Sequence, residues 1–201
     1  MSTPTYAIAF DPWNQLWLHF TSPVRVYTAR SLKDVASTLE EVEWACRTEG
    51  RWAVGWVSYE AAPAFDPALI VRDEASFPQV WFATFSPPTP LQSLPDTHPL
   101  EQLPWHPSVT KEEYLRAVGA VKDAIGRGDT YQTNYSFRLS TPTTPDPSQL
   151  FTQMTRTQGG DYGCLINTDA FAIVSASPEL FFAKTGASIV SRPMKGTSPR
   201  G

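Results

Sequence analysis

Three short stretches of this chain hold residue types able to make and break bonds: Gly128-Asp129-Thr130-Tyr131-Gln132-Thr133-Asn134, Ser175-Ala176-Ser177-Pro178-Glu179 and Pro193-Met194-Lys195-Gly196-Thr197. Lys195 carries an amine. An ammonium has no lone pair, so nucleophilic work requires desolvation or nearby positive charge to strip its proton, and Arg192 is close in sequence. Glu179 could deliver a proton to a departing oxygen if burial among Pro178, Leu180, Phe181 and Phe182 raised its pKa. Gln132 is neutral and cannot act as a base, whereas Gly196 exposes a backbone N–H and Thr197 a hydroxyl, a pair suited to holding a ligand oxygen. Each residue also has a plainer reading. Turn lysines usually face solvent, a strand-end glutamate is usually solvated or caps a helix, and Gln132 could make an ordinary hydrogen bond.

The elements that must position these residues are legible in the apolar periodicity. Thr110 and Glu113 form a T-x-x-E capping box ahead of Leu115, Val118, Val121 and Ile125, which predicts a helix ended by Gly126 and Gly128. Thr130 to Ser140 then alternates large and polar side chains, the pattern of a strand with its odd-numbered face buried, which puts Gln132 and Asn134 together on the other face as a polar pocket wall. A short helix is predicted around 147–157. Strands follow over 163–167, 171–175, 179–183 and 188–192, with Thr185-Gly186 turning the chain between the last two.

Upstream, 6–10 and 15–20 read as strands, and Ser31 opens a helix to about Thr48 with Leu32, Val35, Leu39, Val42 and Ala45 or Cys46 on one face, closed by Gly50. Residues 52–60 read as an apolar strand in which Gly55 permits close backbone approach, and 79–85 as another. Six of the seven tryptophans, Trp13, Trp17, Trp44, Trp52, Trp56 and Trp81, lie in this segment and suit a small core built from large rings. The proline-rich run from Ser86 to Pro107 reads as an extended linker. The expected division is therefore 1–88, a linker over 89–107, and 108–201. Sequential antiparallel strands beside segregated helices make the class α+β, antiparallel sheets with flanking helices.

Composition narrows the function classes. The 201 residues carry a formal net charge of -4 with no Lys/Arg block, which gives no electrostatic footprint for nucleic acid, and no apolar run approaches the roughly 20 residues of a membrane span. The Met1–Tyr6 start lacks the charge and apolar core of a secretory signal, so the expected location is cytoplasmic. Cys46 and Cys164 form no ligand spacing and read as buried thiols. His19, His98 and His106 are scattered, so no metal site is expected within this chain.

Taken jointly and in order, the G-D-x-x-Q, S-P-E and P-x-K-G-T stretches resemble the chorismate-utilising enzymes, and within them the aminodeoxychorismate synthase component I branch. Gly55-Trp56-Val57-Ser58-Tyr59-Glu60-Ala61 is similar to the G-F-x-S-Y-E-A of the amino-terminal part of those synthases, so the likeness spans nearly the whole chain. It implies an anthranilate synthase component I-like fold. It implies Glu179 as the general acid that protonates a leaving ring hydroxyl, Lys195 as the nucleophile, and Gln132, Gly196 and Thr197 as substrate-binding groups. Lysine at position 195 resembles the aminodeoxychorismate synthases, where anthranilate and isochorismate synthases have alanine. Gln132 stands where water-adding members have lysine.

The resemblance further implies chorismate as substrate and ammonia from a glutamine amidotransferase subunit, with a fused or separate aminodeoxychorismate lyase completing 4-aminobenzoate for folate. It implies magnesium, whose ligands are expected in a carboxy-terminal half of the family enzymes that has no counterpart in these 201 residues. A dianionic substrate without that cation would lack charge compensation, so the expectation is a piece of a longer enzyme, inactive alone. Anthranilate synthase component I remains open inside the enzyme class. Outside it stands a non-catalytic module that senses an aromatic ligand or docks a glutaminase through its first segment.

Overall fold

The computed structural model describes residues 5–72, 77–98, 100, 102–159 and 162–193. The chain forms two compact units, residues 1–98 with 147–201, and residues 99–146. Contacts thus gather the chain otherwise than the sequential division into 1–88 and 108–201, because a strand from the last quarter, Tyr162–Asn167, pairs with the first strand of all.

In the larger unit, β1 (Tyr6–Asp11), β2 (Leu16–Thr21), β3 (Arg25–Ala29), the helix α1 (Val35–Glu49), β4 (Trp52–Val57), β5 (Val80–Phe85) and β6 (Thr89–Leu91) lead to the second unit. That unit contains β7 (His106–Pro107), α2 (Lys111–Arg127) and β8 (Leu139–Ser140); the chain then returns through α3 (Pro147–Gln158), β9 (Tyr162–Asn167), β10 (Ala172–Ser177), β11 (Leu180–Thr185) and β12 (Ser188–Arg192). The larger unit holds a five-stranded sheet in the order β10-β9-β1-β2-β6, a three-stranded sheet β3-β5-β4, and the hairpin β11–β12. Every pairing is antiparallel, which with the helices makes the class α+β.

Alternation along the strands explains the layering. In β1, Ala7 joins Phe20, Ile166, Trp81, Ala83 and Phe85 in the core between the two sheets, while its neighbour Ile8 joins Trp17, Leu165 and Phe151 of α3 on the opposite face. Successive strand residues point to opposite faces, so a strand buried on both sides is apolar throughout. The three-stranded sheet repeats this. Ala83 and Phe85 face the inter-sheet core, and Val80 and Phe82 pack beneath α1 with Val35, Val42 and Ala45. α1 ends where Gly50 adopts φ 65°, a left-handed value that favours glycine. A Cβ on Gly55 would collide with the Trp81 carbonyl oxygen and lie 2.5 Å from Phe82 Cγ; the close approach expected there is real. It lets Trp56 stack on Trp81 at 4.9 Å, with planes 9° apart.

Three expectations change. The strand predicted over 52–60 stops at Val57, and Tyr59–Ala64 winds into a 3₁₀ turn containing Pro63. The stretch 86–107 is not linker throughout, since β6 pairs with β2 and Leu94 is buried against Trp17 and Phe151. Proline at position 90 is tolerated because β6 lies at the sheet edge, where its missing N–H costs no ladder bond. The strand predicted over 130–140 shrinks to Leu139–Ser140, which pairs with His106–Pro107. Among the described residues no strand pairs with 131–138, and an unpaired segment lacks the ladder bonds that hold a strand in register.

Within the smaller unit, α2 begins with the expected capping box: Glu113 N–H donates to Thr110 Oγ1 at 3.2 Å and Thr110 N–H to Glu113 Oε2 at 2.7 Å. It ends at Gly128, φ 79°, the second of the two glycines expected to close it, while Gly126 stays helical. No residue of α2 is buried.

Candidate functional site

Glu179 lies between β10 and β11, in a turn built by its own motif. Ser177 Oγ accepts the Glu179 N–H at 3.2 Å and donates to the Glu179 carbonyl at 3.0 Å. Pro178 stiffens the same turn by fixing its φ. The motif thus holds the Glu179 backbone and leaves the carboxyl free to reach outward. That carboxyl is exposed, and the apolar enclosure expected from its neighbours is absent: Phe181 is 85% and Phe182 55% exposed. The two rings pack edge-on against each other at 5.2 Å instead of over the acid. The pairing register of the strand shifts between Leu180 and Ala183, which interrupts regular alternation at Phe181 and Phe182, so sequence neighbours do not by themselves enclose a group.

Lys195, Gly196 and Thr197 lie outside the described residues. The strand leading to them is described: β12 ends at Arg192, whose Nη1 donates to Tyr162 Oη at 3.1 Å. This bond ties the two-stranded β11–β12 hairpin to β9 of the five-stranded sheet. Sequence reasoning missed Tyr162, which carries no motif and is marked only by its place at the start of β9.

Gln132 belongs to the smaller unit. It follows the Gly128 turn, where Asp129 pairs with Arg127 at 2.8 Å, and Thr130 Oγ1 donates to the Gln132 carbonyl at 3.0 Å. Asn134 shares its alternation. Both side chains face solvent, not a packed pocket wall. The odd-numbered residues are not the buried face expected: Tyr135 and Phe137 lie 5.8 and 5.9 Å from the Tyr114 ring of α2 but stay 38% and 42% exposed. Tyr131, by contrast, is 91% exposed. The segment is anchored at its far end by Ser108 N–H donating to the Arg138 carbonyl at 2.8 Å and Arg138 N–H donating to Ser108 Oγ at 3.0 Å.

Among the described residues no group of three or more His, Cys, Asp or Glu side chains could hold a metal ion, so these residues do not fit a magnesium site. The cysteines are free thiols, Cys46 and Cys164 both partly buried. Burial pushes the Cys164 thiol up to about 11 and raises Cys46 in the same direction. A raised pKa leaves a thiol protonated and poorly nucleophilic, which suits packing and not catalysis. Among the described residues no helix is long and apolar enough to cross a membrane.

Comparison with known proteins bears on the same stretches. Residues 88–201 match the family model described as chorismate binding enzyme. Among curated relatives, anthranilate synthase component 1 of Thermus thermophilus is 33% identical over 112 residues, 56% of this chain and 24% of the relative. Aminodeoxychorismate synthase component 1 of Bacillus subtilis is 29% identical over 123 residues, 61% of this chain and 25% of the relative. The Escherichia coli protein of the same name is 31% identical over 96 residues, 48% of this chain and 21% of the relative. The chain spans about a quarter of the length of the curated relatives it matches. The family match takes in more than half of the chain and contains all three motif stretches, and on that basis the chain belongs to the chorismate binding enzymes.

Proposed function

We propose that the protein carrying this chain is an aminodeoxychorismate synthase component I with an anthranilate synthase component I-like fold, converting chorismate and ammonia into 4-amino-4-deoxychorismate. The observation that carries the reading is lysine at position 195 inside Pro193-Met194-Lys195-Gly196-Thr197. The Lys195 amine forms a C–N bond to the chorismate ring as the C–O bond breaks, and the hydroxyl leaves as water on taking a proton from Glu179. Ammonia then forms a C–N bond that places an amine where the hydroxyl was, the bond to lysine breaks, and Lys195 is regenerated. Gln132 has no lone pair basic enough to deprotonate water, which favours ammonia as the second nucleophile. Gly196 N–H and Thr197 hydroxyl hold substrate oxygens.

The curated relatives named component 1 support a second component, for which a glutamine amidotransferase supplying ammonia is the partner proposed here. Magnesium and a downstream lyase complete the proposal, with synthesis of 4-aminobenzoate for folate in the cytoplasm as its setting. A second reading, anthranilate synthase component I, is favoured by the Thermus thermophilus relative at 33% identity. Product identification separates the two. Incubating the full-length protein with chorismate, ammonium and magnesium yields 4-amino-4-deoxychorismate on the first reading and anthranilate on the second. Lys195→Ala abolishes the first product, and Glu179→Gln slows it by about 10²–10⁴. An unchanged rate and product in Lys195→Ala would rule the nucleophile out, and turnover by the isolated 201 residues would refute the expectation that they are inactive alone.

A further inference from the structure

A cavity of ≈ 520 Å³ in the larger unit is lined by residues that the proposed reaction does not use, among them Arg30, Leu32, Glu60, Ile70, Arg72 and Gln79. Its size falls within the roughly 300–1,000 Å³ range of small-molecule sites. Local structure explains why these side chains converge. Ala29, Ala61 and Val80 are all at most 1% exposed and pack together with Val35, and each is followed or preceded in the chain by one of Arg30, Glu60 and Gln79. A buried cluster therefore fixes the backbone from which three polar side chains emerge on one rim. Ser58 strengthens that rim, its N–H donating to the Gln79 carbonyl at 2.8 Å and its Oγ to Gln79 Oε1 at 3.2 Å. Gln79 is left with its amide N–H₂ as the free end.

The polar groups of the cavity are unequal in sign. Arg30, Arg72 and the Gln79 amide offer donors, whereas Glu60 is the one carboxylate among the lining residues. Among the described residues neither arginine has an ion-pair or hydrogen-bond partner. Leu32, Pro63, Leu69, Ile70 and Val71 supply the apolar wall, with Ile70 93% exposed. An unpaired guanidinium presents a planar fork of donors that matches a carboxylate in bidentate geometry. Beside an apolar wall, such a fork selects an anion that carries a hydrophobic body.

We infer that this cavity is a binding site for a small organic monocarboxylate with an apolar body, its carboxylate on Arg30 and Arg72 and its body against Leu32, Leu69 and Ile70. Glu60 disfavours a second negative charge on the ligand through like-charge repulsion. The site lies wholly within residues 30–79 and does not depend on the chorismate reaction.

Titration of the 201-residue chain with benzoate, followed by methyl NMR and calorimetry, tests it. Saturable binding that shifts the Leu32, Leu69 and Ile70 methyls is expected, with neutral benzamide at least tenfold weaker and R30Q or R72Q at least fivefold weaker than the parent. E60Q, which removes the opposing charge, tightens benzoate severalfold. Absence of saturation, equal affinity for benzamide, or shifts confined to methyls elsewhere would each overturn the inference. The benzamide comparison needs no variant, so the result stands even if a substitution disturbs folding.

Discussion

The two compact units of this chain reach order by different routes. The larger is specified from within: Phe151, Leu165, Val35 and Val80 are fully buried, and the five-stranded and three-stranded sheets each have an apolar partner on both faces. The smaller, 99–146, rests on local signals, a capping box, a glycine C-cap and aromatic contacts to Tyr114, while α2 buries none of its residues. Hydrophobic burial is the dominant favourable term in folding and local propensity is a weak one. A unit with the first is cooperative, and a unit with only the second frays.

The largest expected effect is therefore in the larger unit. Phe151 is 0% exposed and meets Trp17 edge-on at 5.5 Å, with Gly163 placed so that a Cβ there would lie 3.2 Å from the Phe151 ring. Phe151→Ala should cost about 3–5 kcal/mol in urea unfolding, because the vacated space is walled by strands that cannot collapse into it. The helical signal of α2 should survive to the same denaturant concentration as in the parent. Co-melting of α2 with the sheets would break the comparison by showing one cooperative unit.

The division between the units also marks what was legible in the sequence. Strands with two buried faces read as apolar runs, and strands with one read as alternation, so β1, β2, β4, β5 and the four strands from β9 to β12 were foreseeable. β3 was not: Arg25, Val26 and Thr28 are exposed and only Tyr27 and Ala29 point inward, too short a pattern to stand out. The 130–140 stretch had the right alternation and still paired only at Leu139–Ser140, because pairing is a property of a partner strand and not of the segment. The site divides in the same way. Ser177-Pro178-Glu179 builds a local turn from adjacent residues, whereas the enclosure of Glu179 depended on where Phe181 and Phe182 point. Tyr162, the residue that ties Arg192 to the main sheet, carried no signal because its contact spans 30 positions.

A smaller effect tests the core by pH. The Cys164 thiol, pushed by burial up to about 11 from an ordinary 9.0, faces the inter-sheet core from β9. Below pH 9 the thiol is protonated whether the chain is folded or not, and it leaves stability unchanged. Between 9 and 11 the unfolded chain loses the proton first, so the unfolded state binds fewer protons and stability falls as pH rises. The loss approaches its limit of about 2.7 kcal/mol only for a fully buried thiol, and the partial exposure of Cys164 makes it smaller. The difference in unfolding free energy between the parent and Cys164→Ala, followed from pH 8.5 to 11, should shrink across that window. A pH-independent difference would mean that the thiol is solvated in the folded chain.

The smallest effect belongs to the smaller unit and sharpens the contrast most directly. Thr110 Oγ1 accepts the Glu113 N–H and the Glu113 carboxylate accepts the Thr110 N–H, which together satisfy two donors that the helix ladder leaves unpaired. Thr110→Ala removes one of these bonds and should cost about 1 kcal/mol. In a cooperative core that loss would be shared by every element. In a helix with no buried side chain it has nowhere to spread, so amide exchange should quicken within the first turn, 111–114, and stay unchanged in β1, β5 and β9. Faster exchange in those strands would show that α2 is coupled to the core and that the two units fold as one.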